Sequence, residues 1–268
     1  MNRSFTPVMP AAFIGHGSPM NALTVNKYSA AWRQFGGSIP KPNAILSISA
    51  HWYTQGLGVT AMDTPRTIHD FGGFPQALFD MQYPAAGAPD LARRVRDLLR
   101  PLDVQWNLSW GLDHGTWSIL VHMFPQADIP VVQLSIDATQ PNRFHYELGR
   151  TLAPLRDEGV LLLGSGNVVH NLRAAQFRDQ APAYDWAVRF NDQVREHLQA
   201  RNHTPLVQYD SFGDPARLSI PTPEHYLPML YILGAQRDDD MLSILIDGID
   251  LGSIGMLSFA IGPVTSAT

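Results

Sequence analysis

A chain of 268 residues is the size of one large domain or two small ones, and 45% hydrophobic against 16% charged residues suffices for a substantial core. Nineteen Lys and Arg against twenty-four Asp and Glu leave a formal charge of −5 with no basic patch, which argues against nucleic acid and anionic membrane as partners. With no cysteine, disulfides, thiolate metal sites and cysteine nucleophiles are excluded, so any metal must be held by His, Asp or Glu.

The N-terminal stretch Met1–Pro10 carries no secretory pattern, and the longest apolar runs, Val160–Gly164 and Gly255–Ile261, fall short of the ~20 residues a membrane helix needs. A cytoplasmic protein with no membrane partner is expected; the charge pattern leaves its oligomeric state open. In chain order, buried strands are predicted at Pro10–Ile14, Ala44–Ser49, Gly58–Ala61, Val131–Ile136, Val160–Leu163 and Met256–Ile261. Helices are predicted at Val25–Phe35, Pro89–Leu99, Thr116–Met123, Arg143–Asp157, Tyr184–Ala200 and Pro223–Leu233; in the fifth, Trp186, Phe190, Val194 and Leu198 recur near helical spacing. Thr64–Ala88, rich in Pro and Gly, is the largest irregular segment and a candidate to carry a site. Asp238-Asp239-Asp240 reads as a solvated turn. Strands and helices mostly alternate, and no repeat or linker divides the chain. The expectation is an α/β fold, a single domain over 1–268, with a central mostly parallel or mixed sheet flanked by helices on both faces.

The ten histidines carry the most information. His16 and His51 each follow an apolar run, and His170 lies six residues past Gly164, so all three fall near the carboxyl ends of predicted strands, where open α/β sheets bind ligands. A histidine satisfied by backbone or water is the competing explanation for any one of them, and it weakens when three share that setting. Thr222-Pro223-Glu224-His225 reads as an N-cap, a first-turn proline and a first-turn histidine, a rigid mount for an imidazole. His114 also precedes a helix, with Asp113 or Thr116 placed to orient it or to cap the helix. His69, His122, His145, His197 and His203 are expected to be structural or at the surface.

Competing motifs are weak. Gly15-His16-Gly17-Ser18-Pro19 has glycine where a hydrolase elbow has its serine, and Gly164-Ser165-Gly166 lacks the third glycine of a dinucleotide loop, which would fall at Val169.

Taken together, Gly15-His16-Gly17-Ser18-Pro19-Met20, Ser49-Ala50-His51-Trp52, Asp113-His114-Gly115-Thr116-Trp117, the run from Gly164 to Leu172, and Pro221-Thr222-Pro223-Glu224-His225-Tyr226 resemble the class III extradiol ring-cleavage dioxygenases of the LigB type. The likeness is narrower still to the branch that includes DOPA 4,5-dioxygenase, and it spans most of the chain. It implies His16, His51 and His225 as metal ligands, His170 as catalytic acid/base or fourth ligand, and His114 at the substrate pocket. It also implies Fe(II) for activity, with Zn(II) able to occupy the same site, and a catechol and O2 as small-molecule partners. Relatives that cleave protocatechuate use two histidines and a glutamate. Here Glu224 and His225 are neighbours about 100° apart on a helix, so one of them must stand behind the other; spacing alone does not choose between them, and it is the resemblance that implies His225 at the metal.

Three neutral imidazoles leave the metal its full dipositive charge, which favours a deprotonated diol, and they cover one face only. His170, with His114 second, is the candidate to take a proton from the diol and later return one. Trp52, Tyr53, Trp117 and Tyr226 are candidates to wall the ring pocket, with core packing the alternative for each and the favoured one for Trp117; Arg66, Arg143 and Arg217 are candidates to meet a substrate carboxylate, with a surface charge the favoured reading of each. A zinc hydrolase or lyase using the same histidines is the alternative. A non-catalytic binding module ranks last, because it leaves the clustering of His16, His51 and His225 unexplained.

Overall fold

Five of the six apolar runs, with Leu242–Ile246 as a sixth strand that the sequence reading did not include, assemble into one sheet as their side chains alternate between two faces. In the computed structural model, which describes residues 8–178 and 180–264, the strands are β1 (Ala11–Gly15), β2 (Ala44–Ser49), β3 (Val131–Gln133), β4 (Val160–Gly166), β5 (Leu242–Ile246) and β6 (Ser258–Ile261). Residues 1–7 of the stretch read for a leader lie outside the described residues. The spatial order is β3-β2-β4-β1-β6-β5; the first four run parallel, and β6 is antiparallel to both β1 and β5. The sheet is therefore mixed with a parallel majority.

Successive residues of a strand point to opposite faces. Ala11, Phe13, Leu46, Ile48, Leu162, Phe259 and Ile261 enter one core, formed with helices Pro89–Leu98, Asn142–Leu152, Asp185–Gln199 and Leu227–Gly234. Ala12, Ile14, Ile45, Leu161, Leu163 and Ala260 enter the other, against helices Lys27–Gly37 and His114–Met123. Both faces are covered, as the near-continuous apolar strands require.

Several elements differ from the sequence reading. The strand expected at Gly58–Ala61 forms as Leu57–Thr60 and pairs with Val104–Asn107, outside the central sheet. Val131–Ile136 is not one strand: β3 stops at Gln133, and Ile136–Asp137 pairs with Tyr53–Thr54. Side chains cause the break, since the Ser135 hydroxyl takes the Gly58 N–H at 2.7 Å and Thr60 Oγ1 takes the Gln133 N–H at 2.8 Å, replacing ladder bonds. Helix Arg143–Asp157 turns into a 3₁₀ segment at Ala153–Glu158, because Pro154 has no N–H to continue the α pattern. The helix expected from Pro223 begins at Leu227. Residues 222–226 form a turn in which the Tyr226 and Leu227 N–H groups both donate to the Pro223 carbonyl, and the Thr222 hydroxyl donates to Glu224 instead of capping backbone.

The three aspartates at 238–240 are a solvated turn only in part. Asp238 and Asp239 are exposed, but Asp240 is buried and accepts Arg156 Nη1 at 2.5 Å and Nη2 at 2.8 Å. Arg156 is fully buried and also donates to the Met9 and Ala235 carbonyls, each at 2.8 Å. Burial alone would raise the Asp240 pKa; the Arg156 hydrogen bonds and charge outweigh it and hold the carboxyl below its ordinary range. Removing one partner of such a pair leaves a buried charge uncompensated. Asp240→Asn should destabilise the fold by about 3 kcal/mol in urea titration, whereas Asp238→Asn and Asp239→Asn should each change it by less than about 0.5 kcal/mol; equal effects at the three positions would contradict this assignment.

Candidate metal centre

The parallel strands β1, β2 and β4 end level with one another: Gly15 pairs with Gly166, and Ser49 with Ser165. His16 is the first residue past β1, and His51 lies two past β2, so their imidazoles emerge at one sheet edge. His225 reaches that edge from the turn before helix Leu227–Gly234. A close backbone approach makes this possible: Asn167 N–H donates to the His225 carbonyl at 2.9 Å, and a Cβ on Gly166 would stand 2.1 Å from that oxygen. Gly115 is similarly constrained, since a Cβ there would meet Ser49 Oγ at 2.5 Å and the His51 ring at 2.8 Å.

Five of the ten histidines converge. The ring centroids of His16, His51 and His225 form a triangle with sides of 5.0, 5.1 and 5.4 Å, and one ligand nitrogen from each lies within 4.8 Å of the others. His114 packs against His51 at 3.8 Å, and His170 stacks on His225 at 3.4 Å with its plane tilted 9°. His170 groups with Glu224 and His225, beside the triangle. The remaining histidines have other partners: His69 bonds the Met81 carbonyl, His122 the Asn21 carbonyl, His145 the Tyr231 hydroxyl and His203 Gln236, while His197 packs on Phe212. His145 differs from its polar sequence context in being wholly buried.

Hydrogen bonds at the outer nitrogens of His16 and His225 fix their tautomers, and a carboxylate beside that of His51 favours a proton there. The Ser165 hydroxyl donates to the Gly115 carbonyl at 2.5 Å, so toward His16 Nδ1, 2.9 Å away, it can only accept. Glu224 Oε1 accepts from His225 Nδ1 at 3.1 Å, and Asp70 Oδ2 lies 3.3 Å from His51 Nδ1. Protons on the Nδ1 atoms leave the Nε2 lone pairs unprotonated, and those of His16 and His51 stand only 3.2 Å apart. Two facing lone pairs repel unless a cation lies between them. Metal–nitrogen bonds of about 2.1 Å at right angles put nitrogens about 3 Å apart. The donor set therefore fits a divalent metal held on one face.

Asp70 was not singled out in the sequence. It lies within the irregular segment Thr64–Ala88, among residues with no helical or strand period, and only a carboxylate beside Phe71-Gly72-Gly73-Phe74 marks it. The segment is pinned by Ile68 N–H to the Leu112 carbonyl (2.7 Å), Leu112 N–H to the Arg66 carbonyl (2.8 Å) and Trp117 Nε1–H to the Ile68 carbonyl (2.8 Å). Asp70 Oδ1 then accepts the His114 backbone N–H at 2.9 Å and stands 3.0 Å from His114 Nδ1, an electrostatic contact rather than a linear hydrogen bond. Asp113 does not orient His114; it caps helix His114–Met123 through the Thr116 N–H at 3.1 Å.

The five histidines line a cavity of about 520 Å³. Its apolar wall is Phe71, Phe74, Leu172, Phe177, Leu251 and Ile254, with Phe71 edge-on to His114 at 5.4 Å. None of the four aromatic candidates lines the cavity, and core packing, the alternative reading, holds for Trp117. Trp52 stacks on Trp110, Trp117 and Tyr226 are core residues whose polar atoms bond backbone carbonyls, and Tyr53 is partly exposed at the surface. Arg66 donates to the Trp110 carbonyl, Arg143 pairs with Glu147 and Arg217 with Asp214, and none of the three lines the cavity.

Burial and mutual repulsion keep these rings neutral. Burial first, then the charges of neighbouring histidines, pull His16 and His225 well below the usual imidazole range. Burial and His114 bring His51 down to about 3 against the opposing pull of Asp70, and burial brings His170 to about 4 against that of Glu224. A group whose folded pKa lies below its unfolded value of about 6.5 stabilises the fold above pH 6.5 and loses that contribution as pH falls toward the folded value. Metal-free protein should therefore melt at progressively lower temperature as pH drops from 6.5 to 4, and His51→Ala should flatten the slope. A melting temperature independent of pH across that window would contradict it.

Comparison with known proteins agrees with this geometry. The family described as the catalytic LigB subunit of aromatic ring-opening dioxygenase matches residues 11–247. The chain is 53% identical over 259 residues to an Escherichia coli K12 protein named 4,5-DOPA dioxygenase extradiol, covering 95% of each chain. It is 37% identical over 254 residues to a Beta vulgaris protein of the same name, covering 92% of this chain and 94% of that one. A crystal structure of an uncharacterized Escherichia coli K12 protein superposes with a TM-score of 0.83 at 47% identity, over 95% of this chain and 100% of that one. With a family match across both cores and relatives aligned over most of its length, the chain belongs to the LigB family of aromatic ring-opening dioxygenases.

Proposed function

We propose that the chain opens the ring of an amino-acid catechol, DOPA or a close analogue, by 4,5-extradiol cleavage at an Fe(II) ion held by His16, His51 and His225. The observation that carries this reading is the convergence of those three imidazoles with their outer nitrogens engaged by Ser165, Asp70 and Glu224. Fe(II) supplies the redox chemistry that unites O2 with the bound diol; Zn(II) fits the same donors but has none. The relatives' name, 4,5-DOPA dioxygenase extradiol, supports the substrate class and the position of cleavage.

The chain's own groups do the positioning and the proton transfers. His16, His51 and His225 approach from one side and leave the side facing the cavity to the diol and O2. Phe71 and Phe74 offer aromatic faces and edges against which a catechol ring packs, and with Leu172 and Ile254 they exclude water. His170 accepts the proton that the diol gives up and later returns it. Its ring nitrogens have no hydrogen-bond partner among the described residues, and it enters neutral, since burial holds its pKa at about 4. An anionic diolate beside it raises its proton affinity and offsets the burial, so the imidazolium forms where negative charge develops. His114, with Nδ1 facing Asp70, presents its other nitrogen as a second acceptor for a substrate hydroxyl.

A zinc hydrolase or lyase built on the same histidines is not favoured, because the family's chemistry is ring opening. Its activity would be independent of oxygen. One experiment separates the readings: oxygen uptake with L-DOPA by Fe(II)-loaded protein, Zn(II)-loaded protein and Fe(II)-loaded His170→Ala. The expected results are one O2 consumed per diol with a yellow ring-opened product, no uptake with zinc, and a rate about 10²-fold lower for His170→Ala at unchanged iron content. Equal turnover with zinc, or an unaltered rate in the variant, would overturn the assignment.

A further inference from the structure

Beside the main cavity lies a second cleft of about 260 Å³, lined by His170, Asn171, Leu172, Arg173, Pro221, Thr222 and Glu224. His170 and Leu172 border both spaces, so the cleft adjoins the cavity at the residue proposed to exchange protons with the diol. We propose that this cleft binds the amino-acid end of the substrate, with Arg173 on its carboxylate and the free oxygen of Glu224 on its ammonium group. The inference rests on the catechol-cleaving reading and names what selects among catechols.

Three observations lead to it. The main cavity wall contains histidines and Asp70 but neither Lys nor Arg, so a substrate carboxylate finds no fixed cation there. Arg173 is exposed at the cleft and makes no ion pair or hydrogen bond among the described residues, whereas Arg217 and Arg66 are engaged with Asp214 and the Trp110 carbonyl. Glu224 uses Oε1 for both the Thr222 hydroxyl, at 2.8 Å, and His225 Nδ1, at 3.1 Å; Oε2 has no partner among the described residues.

Arg173 and Glu224 line one small space without pairing with each other, which leaves room for a group between them. A guanidinium receives a carboxylate through two parallel N–H bonds, and a carboxylate oxygen accepts an ammonium N–H. A site carrying one charge of each sign favours a zwitterion. A bare carboxylate meets repulsion from Glu224 and a bare amine meets it from Arg173, so specificity comes from the repulsive group as much as from the attractive one. The substrate class is an α-amino acid bearing a catechol.

The test is steady-state kinetics of Fe(II)-loaded wild type, Arg173→Gln and Arg173→Lys on four diols: L-DOPA, dihydrocaffeate (no amino group), dopamine (no carboxylate) and 4-methylcatechol (neither). Wild type should have its highest kcat/KM on L-DOPA. In Arg173→Gln the ratio of kcat/KM for L-DOPA to that for 4-methylcatechol should fall about tenfold, through KM, with partial recovery in Arg173→Lys. Zinc-loaded protein reads binding without turnover: by equilibrium dialysis, Kd for L-DOPA should weaken by a similar factor in Arg173→Gln while that for dopamine does not. A ratio unchanged within about twofold, or a wild-type preference for dihydrocaffeate, dopamine or 4-methylcatechol over L-DOPA, would overturn the proposal and leave the ring-cleaving assignment standing. The wild-type substrate series is a test that needs no variant. Wild type that consumes no O2 with any of the four diols would instead overturn the catechol-cleaving reading and this inference with it.

Discussion

Everything at this sheet edge follows from one electrostatic constraint: three imidazole lone pairs must be held pointing at a common centre. Left alone, those lone pairs repel, and each ring would turn or take up a proton. Level strand ends prevent the first, because His16 and His51 leave parallel neighbours of β4 at the same height. Burial prevents the second, since a proton on any ring would be both poorly solvated and close to the other rings. Ser165 and Glu224 then set which nitrogen of His16 and His225 carries the hydrogen, and the Asp70 charge favours the same choice in His51. The cluster is preorganised for a cation, and that preorganisation lowers the stability of the metal-free fold in acid.

The same groups divide the remaining work by position. Glu224 stands behind His225 and also borders the side cleft, while Asp70 stands behind His51 and beneath His114. Each carboxylate thus connects a ring of the triangle to a neighbouring group on the cavity wall. The aromatic wall from Phe71 to Phe74 lies on a segment with no helix or strand of its own, but backbone bonds from Ile68 and Leu112 and the Trp117 indole pin it to the core. An irregular segment anchored in this way can deliver a carboxylate and two phenyl rings to one place, which a single helix or strand, with its fixed period, does less readily.

The parts of this arrangement that follow a period were legible in the sequence. Two-faced apolar strands, helices on both sides, and histidines at strand ends all depend on local alternation, and His16 and His51 lie where those runs stop. Parts that depend on chain reversal were not. Asp70 has no periodic neighbours, and the turn at 222–226 looked like a helix start because Thr and Pro favour both. Trp52, Trp117 and Tyr226 were candidates for either pocket wall or core because they flank motif histidines; residues adjacent along a chain point to different sides, and these three face the interior. Asp240 looked solvated beside Asp238 and Asp239, since the Arg156 that buries it is 84 residues away. β5 went unread although Leu242-Ser243-Ile244-Leu245-Ile246 is as apolar as the strands covered on both faces, since nothing in a five-residue run says that it closes the sheet as a half-buried edge.

X-ray absorption of the anaerobic Fe(II)-loaded protein reads the ligand set itself. Outer-shell scattering from three imidazole rings with their nitrogens at about 2.1 Å, and oxygen ligands in the remaining positions that change when a catechol is added, is the expected outcome. Fewer than three imidazoles, a protein carboxylate in place of one of them, or a first shell unmoved by catechol would contradict it.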